Sequence, residues 1–218
     1  MDWRNWHDDY DNPDSQLAQR LRIVQEQIRA ALDGSPSGEL RVVSLCAGQG
    51  RDLLEVLDDH PRRNDVRARL VELDARNTAR AEDAIRAAGL NRVEVVTGDA
   101  SLTDHYRGMV PAHLVLMCGI FGNITDDDIA RTIGFAPQLC RSGATVIWTR
   151  HRRAPDRVPQ ICAWFEASGF ERLWLSEPES RFCVGAHRFI GETEPLAAGA
   201  RMFTFVGFDV LAQRAAQP

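Results

Sequence analysis

The sequence lacks the features of several large classes of protein. None of its five cysteines forms a CxxC pair, and their odd number and wide spacing indicate neither a zinc site nor a disulfide framework. No apolar run approaches the length of a membrane span, and the N-terminus has no signal-like apolar segment. We therefore expect reduced cysteines, no metal, no membrane partner and a cytoplasmic location.

An excess of positive charge is also missing. The formal net charge is −5 and the pI is about 5.7, so the chain does not depend on nonspecific attraction to nucleic acid. A small molecule is the expected partner. With 218 residues, 44% of them hydrophobic and 26% charged, the chain is long enough for one large domain with its own core, predicted over residues 1–218. Its oligomeric state is not indicated.

Strand-like and helix-like segments alternate through most of the chain. Apolar runs predict strands at residues 42–45, 66–73, 92–98, 113–118 and 144–149, with helical patterns between most of them. This alternation predicts an α/β fold with a doubly wound parallel sheet. Three further apolar runs near the C-terminus have no helix between them, so the sheet is expected to finish with antiparallel strands.

An amphipathic helix is predicted ahead of the first strand. Apolar residues recur at intervals of three and four, Asn12 is a candidate cap with Pro13 in the first turn, and Gly34 marks the end. Tyr10 and two tryptophans precede this helix. They either cover a bound cofactor and substrate or hold the helix against the core, which makes residues 1–35 a candidate lid.

Three motifs follow the first three predicted strands. The run RVVSLCAGQGRDL passes from a strand through a turn containing Gly48 and Gly50 into a helix, which lets a nucleotide approach the backbone, although such loops also need glycine for geometric reasons. Glu72 lies 22 residues after Gly50, close to the roughly 20 typical of an acid that binds ribose. Asp99 follows the third strand, where a helix cap is the alternative role.

Taken in order, these motifs resemble those of class I S-adenosylmethionine-dependent methyltransferases. VVSLCAGQG is similar to their GxGxG motif, LVELDARN to the end of their second strand and VEVVTGDASL to that of their third. The resemblance implies a seven-stranded, mostly parallel Rossmann-like sheet with an antiparallel C-terminal strand, and S-adenosylmethionine as cofactor. It implies that Glu72 binds the ribose, that Asp74 caps the next helix and that Asp99 accepts a hydrogen bond from adenine. The implied cofactor-binding residues are Cys46, Ala47, Gly48, Gln49, Gly50, Glu72, Leu73, Asp99, Ala100, Cys118 and Gly119.

The loop after the fourth strand, CGIFGNITD, departs from the Asn/Asp-Pro-Pro-aromatic motif of many adenine and glutamine N-methyltransferases. That departure disfavours a nucleobase amino group as the methyl acceptor. Phe121 and Asn123 in this loop, together with Tyr10 and Arg150, are candidate substrate residues. His151 is favoured over His7, in the N-terminal aromatic segment, as a candidate general base, although its RHRR context is more typical of a solvated basic loop.

Three questions stay open at this level. Either FCVGAHRFI or MFTFVGF supplies the seventh strand, and the second run is more uniformly apolar and so better suited to a central position. A nicotinamide-dependent oxidoreductase is an alternative function, weakened because Leu53 stands where GxGxxG requires its third glycine. A protein that binds the cofactor without turnover is the other alternative.

Overall fold

The computed structural model describes residues 12 and 14–215, which form a seven-stranded sheet with helices on both faces. The strands alternate in sequence with helices until the last two, as the apolar runs predict. In chain order the strands are β1 (Leu40–Leu45), β2 (Val66–Glu72), β3 (Val93–Thr97), β4 (Ala112–Met117), β5 (Cys140–His151), β6 (Phe170–Leu175) and β7 (Phe182–Phe189). The helices are α1 (Gln16–Asp33), α2 (Arg51–Asp59), α3 (Ala75–Ala88), α4 (Asp126–Leu139), α5 (Val158–Ala167) and α6 (Phe208–Ala215), with a 3-10 turn at Thr103–Tyr106.

The strand order is β3-β2-β1-β4-β5-β7-β6. The strands are parallel apart from β7, which runs antiparallel to both β5 and β6. This confirms the predicted doubly wound Rossmann-like sheet with an antiparallel C-terminal strand. The order reverses between β1 and β4, and ligands of open α/β sheets bind at the carboxyl ends of the strands at such a point.

Two apolar layers cover the sheet, and the central strands β1 and β4 are buried between them on both faces. One layer joins buried side chains of α1 and α2, such as Ile28 and Leu53, to one face of the sheet. The other joins α4 and α5 to the opposite face and includes Trp148 and Phe165. Within the described part of the chain no helix combines the length and apolar composition needed to cross a bilayer, and no three His, Cys, Asp or Glu side chains are grouped as metal ligands.

Two local predictions are wrong. The cap of α1 is Ser15, not Asn12, because the Ser15 hydroxyl accepts a 3.0 Å hydrogen bond from the Ala18 amide; Pro13 lies outside the described residues. The run at residues 202–208 is not a strand, since only an isolated bridge between Leu102 and Arg201 adjoins it. The seventh strand is β7, in the run FCVGAHRFI, and it takes the central place between β5 and β6.

A histidine is buried in the core beside the antiparallel strand. The imidazole of His187 is fully buried and stacks on Phe165 at a centroid distance of 4.7 Å. Its Nδ1 accepts a 3.1 Å hydrogen bond from the Trp148 indole N–H, which leaves the ring proton on Nε2. Burial and, secondarily, the charge of Arg172 lower the pKa of His187 to about 4.

We expect His187 to make the protein sensitive to mild acid. Its folded pKa of about 4 lies below the ordinary 6.5, so the unfolded chain gains a proton that the folded chain does not, and stability is lost as the pH falls between these values. Between about pH 7 and pH 5 this loss amounts to about 2 kcal/mol. His187→Asn keeps an acceptor for Trp148 but cannot be protonated. Denaturant midpoints of both proteins at the two pH values test this, and equal losses would contradict it.

Candidate functional site

A cavity of about 510 Å³ opens at the carboxyl ends of β1 to β4. The residues that directly follow these four strands contribute to its wall, as expected where the strand order reverses. The cavity therefore lies where the three sequence motifs meet. Those of its lining residues that were predicted to bind the cofactor are Cys46, Ala47, Gly48, Gln49, Glu72, Leu73, Asp99, Ala100, Cys118 and Gly119.

The turn after β1 has the backbone conformation that favours glycine. Gly48 has φ 57° and Cys46, at the first glycine position of the motif, has φ 51°. A non-glycine residue in this region is uncommon, so the chain keeps the geometry of the glycine turn despite the substitution. Burial, with smaller contributions from Glu72 and Asp99, raises the pKa of the Cys46 thiol, which keeps it protonated and unreactive.

Gly50 is the predicted cofactor-binding residue that does not line the cavity. It is the N-cap of α2 with φ 69°, and a Cβ placed there meets Leu54 Cδ1 at 3.1 Å and lies closer still to Leu70. Gly50 thus serves the close packing of α2 on β2.

Glu72 connects the two loops that border the cavity. Its Oε2 accepts a 2.8 Å hydrogen bond from the Gly48 amide, and its Oε1 accepts a 2.9 Å hydrogen bond from the Asp74 amide. Each carboxylate oxygen retains a second lone pair for a ligand. Leu73 beside it is 71% exposed, which leaves an apolar surface at the mouth of the cavity.

Asp74 is the N-cap of α3, as its position in the sequence predicts. Its Oδ1 accepts a 2.9 Å hydrogen bond from the Arg76 amide, and its carboxylate also pairs with the Arg76 guanidinium. We expect Asp74→Ala to lower the free energy of unfolding by about 0.5 to 2 kcal/mol, because an amide at the helix start loses its acceptor. Denaturant unfolding measures this loss, and an unchanged midpoint would refute the capping role.

The loop after β3 is held from two sides. Asp99 accepts a 3.0 Å hydrogen bond from the Ser101 amide through Oδ1, and its Oδ2 pairs with Arg201 at 2.7 Å. The buried Tyr106 hydroxyl donates to the Ala100 carbonyl at 2.7 Å. Burial opposes ionisation of Asp99, but hydrogen bonds from Ser101 and Arg201 outweigh it, and its pKa is lowered. Asp99 therefore presents an ionised carboxylate to the cavity.

Sequence reasoning missed the parts of the wall that come from outside the three motifs. Leu21 and Val24 of α1 line the cavity although their spacing only indicated a core face, and Phe203 and Phe205 line it from the segment wrongly predicted as a strand. No local signal distinguishes these residues from ordinary core residues. The remaining lining residues that were not predicted are Arg20, Arg51, Asp52 and Asn77; Asp74 was predicted only as a cap.

Opposite charges lie together at one part of this wall. Burial raises the pKa of Asp52 to about 6, a hydrogen bond from the Leu53 amide opposes that rise, and the positive charge of Arg20 also opposes it. Both Arg20 and Asp52 line the cavity. A wall with one acid and one base suits a ligand part that carries both a cationic and an anionic group.

A second cavity, of about 860 Å³, adjoins the first. Gly119 and Arg20 line both cavities, so the two meet beside the end of β4. The second cavity is also bordered by the first turn of α1, the carboxyl end of β5, the start of β7 and the start of α6. Arg150 and Asn123, two of the predicted substrate residues, line it.

The other two predicted substrate residues are Tyr10 and Phe121. Tyr10 lies outside the described residues, as do His7 and the tryptophans before it. The prediction for Phe121 is corrected, because its ring is fully buried in the core, 5.9 Å from Trp148 and 6.4 Å from Phe165 between centroids. Phe121 therefore packs in the core and does not face the second cavity.

Asn123 ties the loop after β4 to the C-terminal segment. Its side-chain amide donates to the Gly119 carbonyl at 2.7 Å, and its Oδ1 accepts from the Phe208 amide at 3.0 Å. Its carbonyl accepts from the amides of Val206 and Gly207. The polar groups of Asn123 therefore hold together the walls of the second cavity.

His151 lies in the second cavity at the end of β5. Its Nδ1 accepts a 3.3 Å hydrogen bond from the Arg153 amide, and its ring meets the Phe208 ring edge-on at 5.2 Å. Burial, Arg150 and Arg153 lower the pKa of His151 to about 4. The imidazole is therefore neutral near pH 7, but it is a weak base, and its Nδ1 takes up a proton only if it gives up the hydrogen bond from the Arg153 amide.

The fold agrees with comparisons to solved structures. An O-methyltransferase family protein from Burkholderia thailandensis superposes with a TM-score of 0.62 and 18% identity, over 81% of this chain and 57% of that one. The 1,6-didemethyltoxoflavin-N1-methyltransferase of the same species was solved with bound 1,6-didemethyltoxoflavin and S-adenosylhomocysteine. It superposes with a TM-score of 0.60 and 16% identity, over 78% of each chain. Magnesium protoporphyrin IX methyltransferase from Synechocystis PCC 6803, with bound SAM, superposes with a TM-score of 0.61 and 10% identity, over 79% of this chain and 80% of that one.

The sequence itself identifies the family. A family model described as "Putative methyltransferase" matches residues 16–158, which is more than half of the chain. None of the curated proteins compared with the chain matches its sequence. The chain belongs to this methyltransferase family, and the class predicted from its motifs, a class I S-adenosylmethionine-dependent methyltransferase, is confirmed at the level of family and fold.

Proposed function

We propose that the protein transfers the methyl group of S-adenosylmethionine to a small-molecule acceptor. The observation that carries this proposal is the meeting of two cavities at Gly119, one at the carboxyl ends of the parallel strands and one beside the end of β5. The first suits the cofactor and the second the acceptor. Gly119 has φ 79° and a Cβ there meets no atom within 4 Å, so the space beside this residue, which lines both cavities, is open.

The residues of the first cavity fit S-adenosylmethionine chemically. Glu72 offers carboxylate acceptors for the vicinal ribose hydroxyls, and Asp99 with the Ala100 amide offers an acceptor and a donor for the adenine edge. Asp52 and Arg20 complement the ammonium and carboxylate of the methionine part. The Gln49 side-chain Nε2 is buried without an acceptor among the described residues, and a ligand carboxylate supplies one.

Few catalytic groups are needed at this site. Bound S-adenosylmethionine supplies a methyl group on a positively charged sulfur, which is already activated as a leaving group. The protein has to hold the acceptor atom in line with that methyl group and to exclude water. Residues of α1 line both cavities. We propose that residues 1–35, which include α1, act as a lid over them. His151 is the proposed general base where the acceptor has to lose a proton.

The five cysteines are free thiols, which fits the reducing cytoplasm in which we propose that the protein acts. The acidic net charge supports a small-molecule acceptor over nucleic acid or an anionic membrane.

Titration calorimetry with S-adenosylhomocysteine and with NADH tests the proposal. We expect micromolar or tighter binding of S-adenosylhomocysteine and no comparable binding of NADH. The reverse result supports the oxidoreductase alternative and ends this proposal. Incubation with methyl-labelled S-adenosylmethionine and a library of small molecules then separates an enzyme from a protein that binds the cofactor without turnover. Methylation of duplex DNA or tRNA that is lost on mutation of the first cavity would overturn the small-molecule acceptor.

A further inference from the structure

The wall of the second cavity is rich in guanidinium groups. The end of β5, the residues just after it, the residue before β7 and the first turns of α1 all contribute arginine, whereas the described lining contains one carboxylate, Asp209 of α6. The arginines are Arg20, Arg150, Arg152, Arg153 and Arg181. This concentration contrasts with the net charge of −5 for the whole chain, so the positive potential is local to this cavity.

Nearby carboxylates do not neutralise this cluster fully. Arg152 pairs with Asp156 at 3.0 Å and donates to the Ser176 carbonyl at 3.1 Å. Asp126, the acid with the largest effect on the pKa of Arg150, is itself paired with Arg157 at 2.8 Å. Asp156 and Asp126 are thus each paired with another arginine, and neither forms an ion pair with Arg150.

Arg150 is the centre of this excess. It is half-buried, its Nη1 donates to the Phe121 carbonyl, and its Nε is buried with no acceptor among residues 14–215. It forms no ion pair within that same part of the chain. A half-buried guanidinium without a carboxylate partner loses solvation, which a bound anion restores through charge-assisted hydrogen bonds.

We propose that the methyl acceptor carries a carboxylate or phosphate group and that Arg150, with Arg181 at the exposed rim, binds it. This inference rests on the proposed function, because it assigns the second cavity to the acceptor. The anion at Arg150 anchors one end of the acceptor and leaves its other end free to reach Gly119, where the cavities meet. The fork of Arg150 recognises the planar or tetrahedral oxygens that carboxylates and phosphates share.

The experiment measures anion binding to the complex of the full chain with S-adenosylhomocysteine. Benzoate and inorganic phosphate are titrated in separate runs, with benzamide as the neutral analogue of benzoate. We expect saturable binding of at least one anion and much weaker binding of benzamide, and the preferred probe shows whether the group is a carboxylate or a phosphate. Loss of one charged hydrogen-bonding partner weakens binding by roughly tenfold or more, so this is the effect expected for Arg150→Gln.

Two further variants keep the test decisive. Arg181→Gln removes an exposed side chain, so it tests the same site if Arg150→Gln fails to fold, with an expected loss of severalfold. Arg188→Gln, in β7 but outside the cavity, is the matched control and should change nothing. Three outcomes overturn the inference. Neither anion binds, benzamide binds as tightly as benzoate, or all three variants bind the anion as tightly as the unchanged protein does. S-adenosylhomocysteine binding in the same samples separates the two proposals, because its absence ends the proposed function, whereas its presence without anion binding ends this inference alone.

Discussion

Replacing Glu72 by alanine is expected to weaken the binding of S-adenosylhomocysteine by about tenfold to a hundredfold. A charged acceptor that hydrogen-bonds ribose hydroxyls contributes about 1.5 to 3 kcal/mol, and the side chain lines the cavity at the end of β2. Titration calorimetry on the variant and on the unchanged protein measures the loss.

The structure adds a second consequence of this substitution. Because Glu72 accepts from the amides of Gly48 and Asp74, alanine leaves two loop amides without their acceptor, so stability falls as well, by about 1 to 3 kcal/mol. The sequence alone predicts that this substitution has little effect on folding. Weaker binding could then arise from a loosened glycine turn instead of a lost ribose contact.

A cofactor analogue separates these two causes. The 2′,3′-dideoxyribose analogue of S-adenosylhomocysteine lacks the hydroxyls that Glu72 is proposed to bind. The unchanged protein should prefer S-adenosylhomocysteine over this analogue, and Glu72→Ala should lose most of that preference, as in a double-mutant cycle. Asp74→Ala is the matched control, since it perturbs the same turn and should retain the preference. If Asp74→Ala loses it and Glu72→Ala does not, the ribose assignment is wrong by two residues.

The sequence predicted those parts of the site that follow strands directly. Strand ends such as Glu72 and Asp99 are marked by a switch from apolar to polar residues, and parallel strands bring their carboxyl ends to one edge. The sequence cannot tell the packing role of Gly50 from the role of Gly48 at the cavity, because a glycine needed for close packing and one needed for ligand approach have the same sequence signal.

The rest of the site depends on long-range folding. Phe203 and Phe205 come to the cavity from a segment that an isolated bridge and Asn123 hold in place, and nothing in their local pattern separates that path from a strand. Three arginines of the second cavity belong to the run RHRR, whereas Arg181 is distant in sequence. The antiparallel pairing of β7 with β5 brings Arg181 next to that run. A charge cluster whose members come from different strands has no characteristic spacing in the sequence, so it cannot be predicted from the sequence.

The choice of β7 as the central strand has a physical basis in Gly185. In the pairing of β5 with β7, Gly185 lies opposite Trp148, and a Cβ at Gly185 would lie 2.7 Å from the indole Nε1 and closer still to Cε2 and Cζ2. The missing side chain is what makes room for the indole. The run with Gly185 appeared the poorer candidate because it is less uniformly apolar than MFTFVGF.

Gly185→Ala is therefore expected to destabilise the protein strongly. The fully buried Trp148 cannot move aside, because Phe121 and Phe165 pack against it and its N–H is bonded to His187. Overpacking of this kind costs about 1 to 3 kcal/mol and occasionally more, and we expect about 3 kcal/mol here. Gly134→Ala is the matched control: Gly134 lies on an exposed face of α4 with no atom within 4 Å of the added Cβ, so alanine should raise stability by about 0.5 to 1 kcal/mol.

Gly185→Ala in a Trp148→Phe background distinguishes a clash with the indole from a general destabilisation by alanine in β7. The smaller ring leaves room for the Cβ, so Gly185→Ala should cost less there by about 1 kcal/mol or more, the range that contacting residues show in double-mutant cycles. Denaturant unfolding of the four proteins gives the coupling energy directly. Additive costs would mean that the indole does not meet the new methyl group, and the steric reason for a central glycine strand would then be wrong.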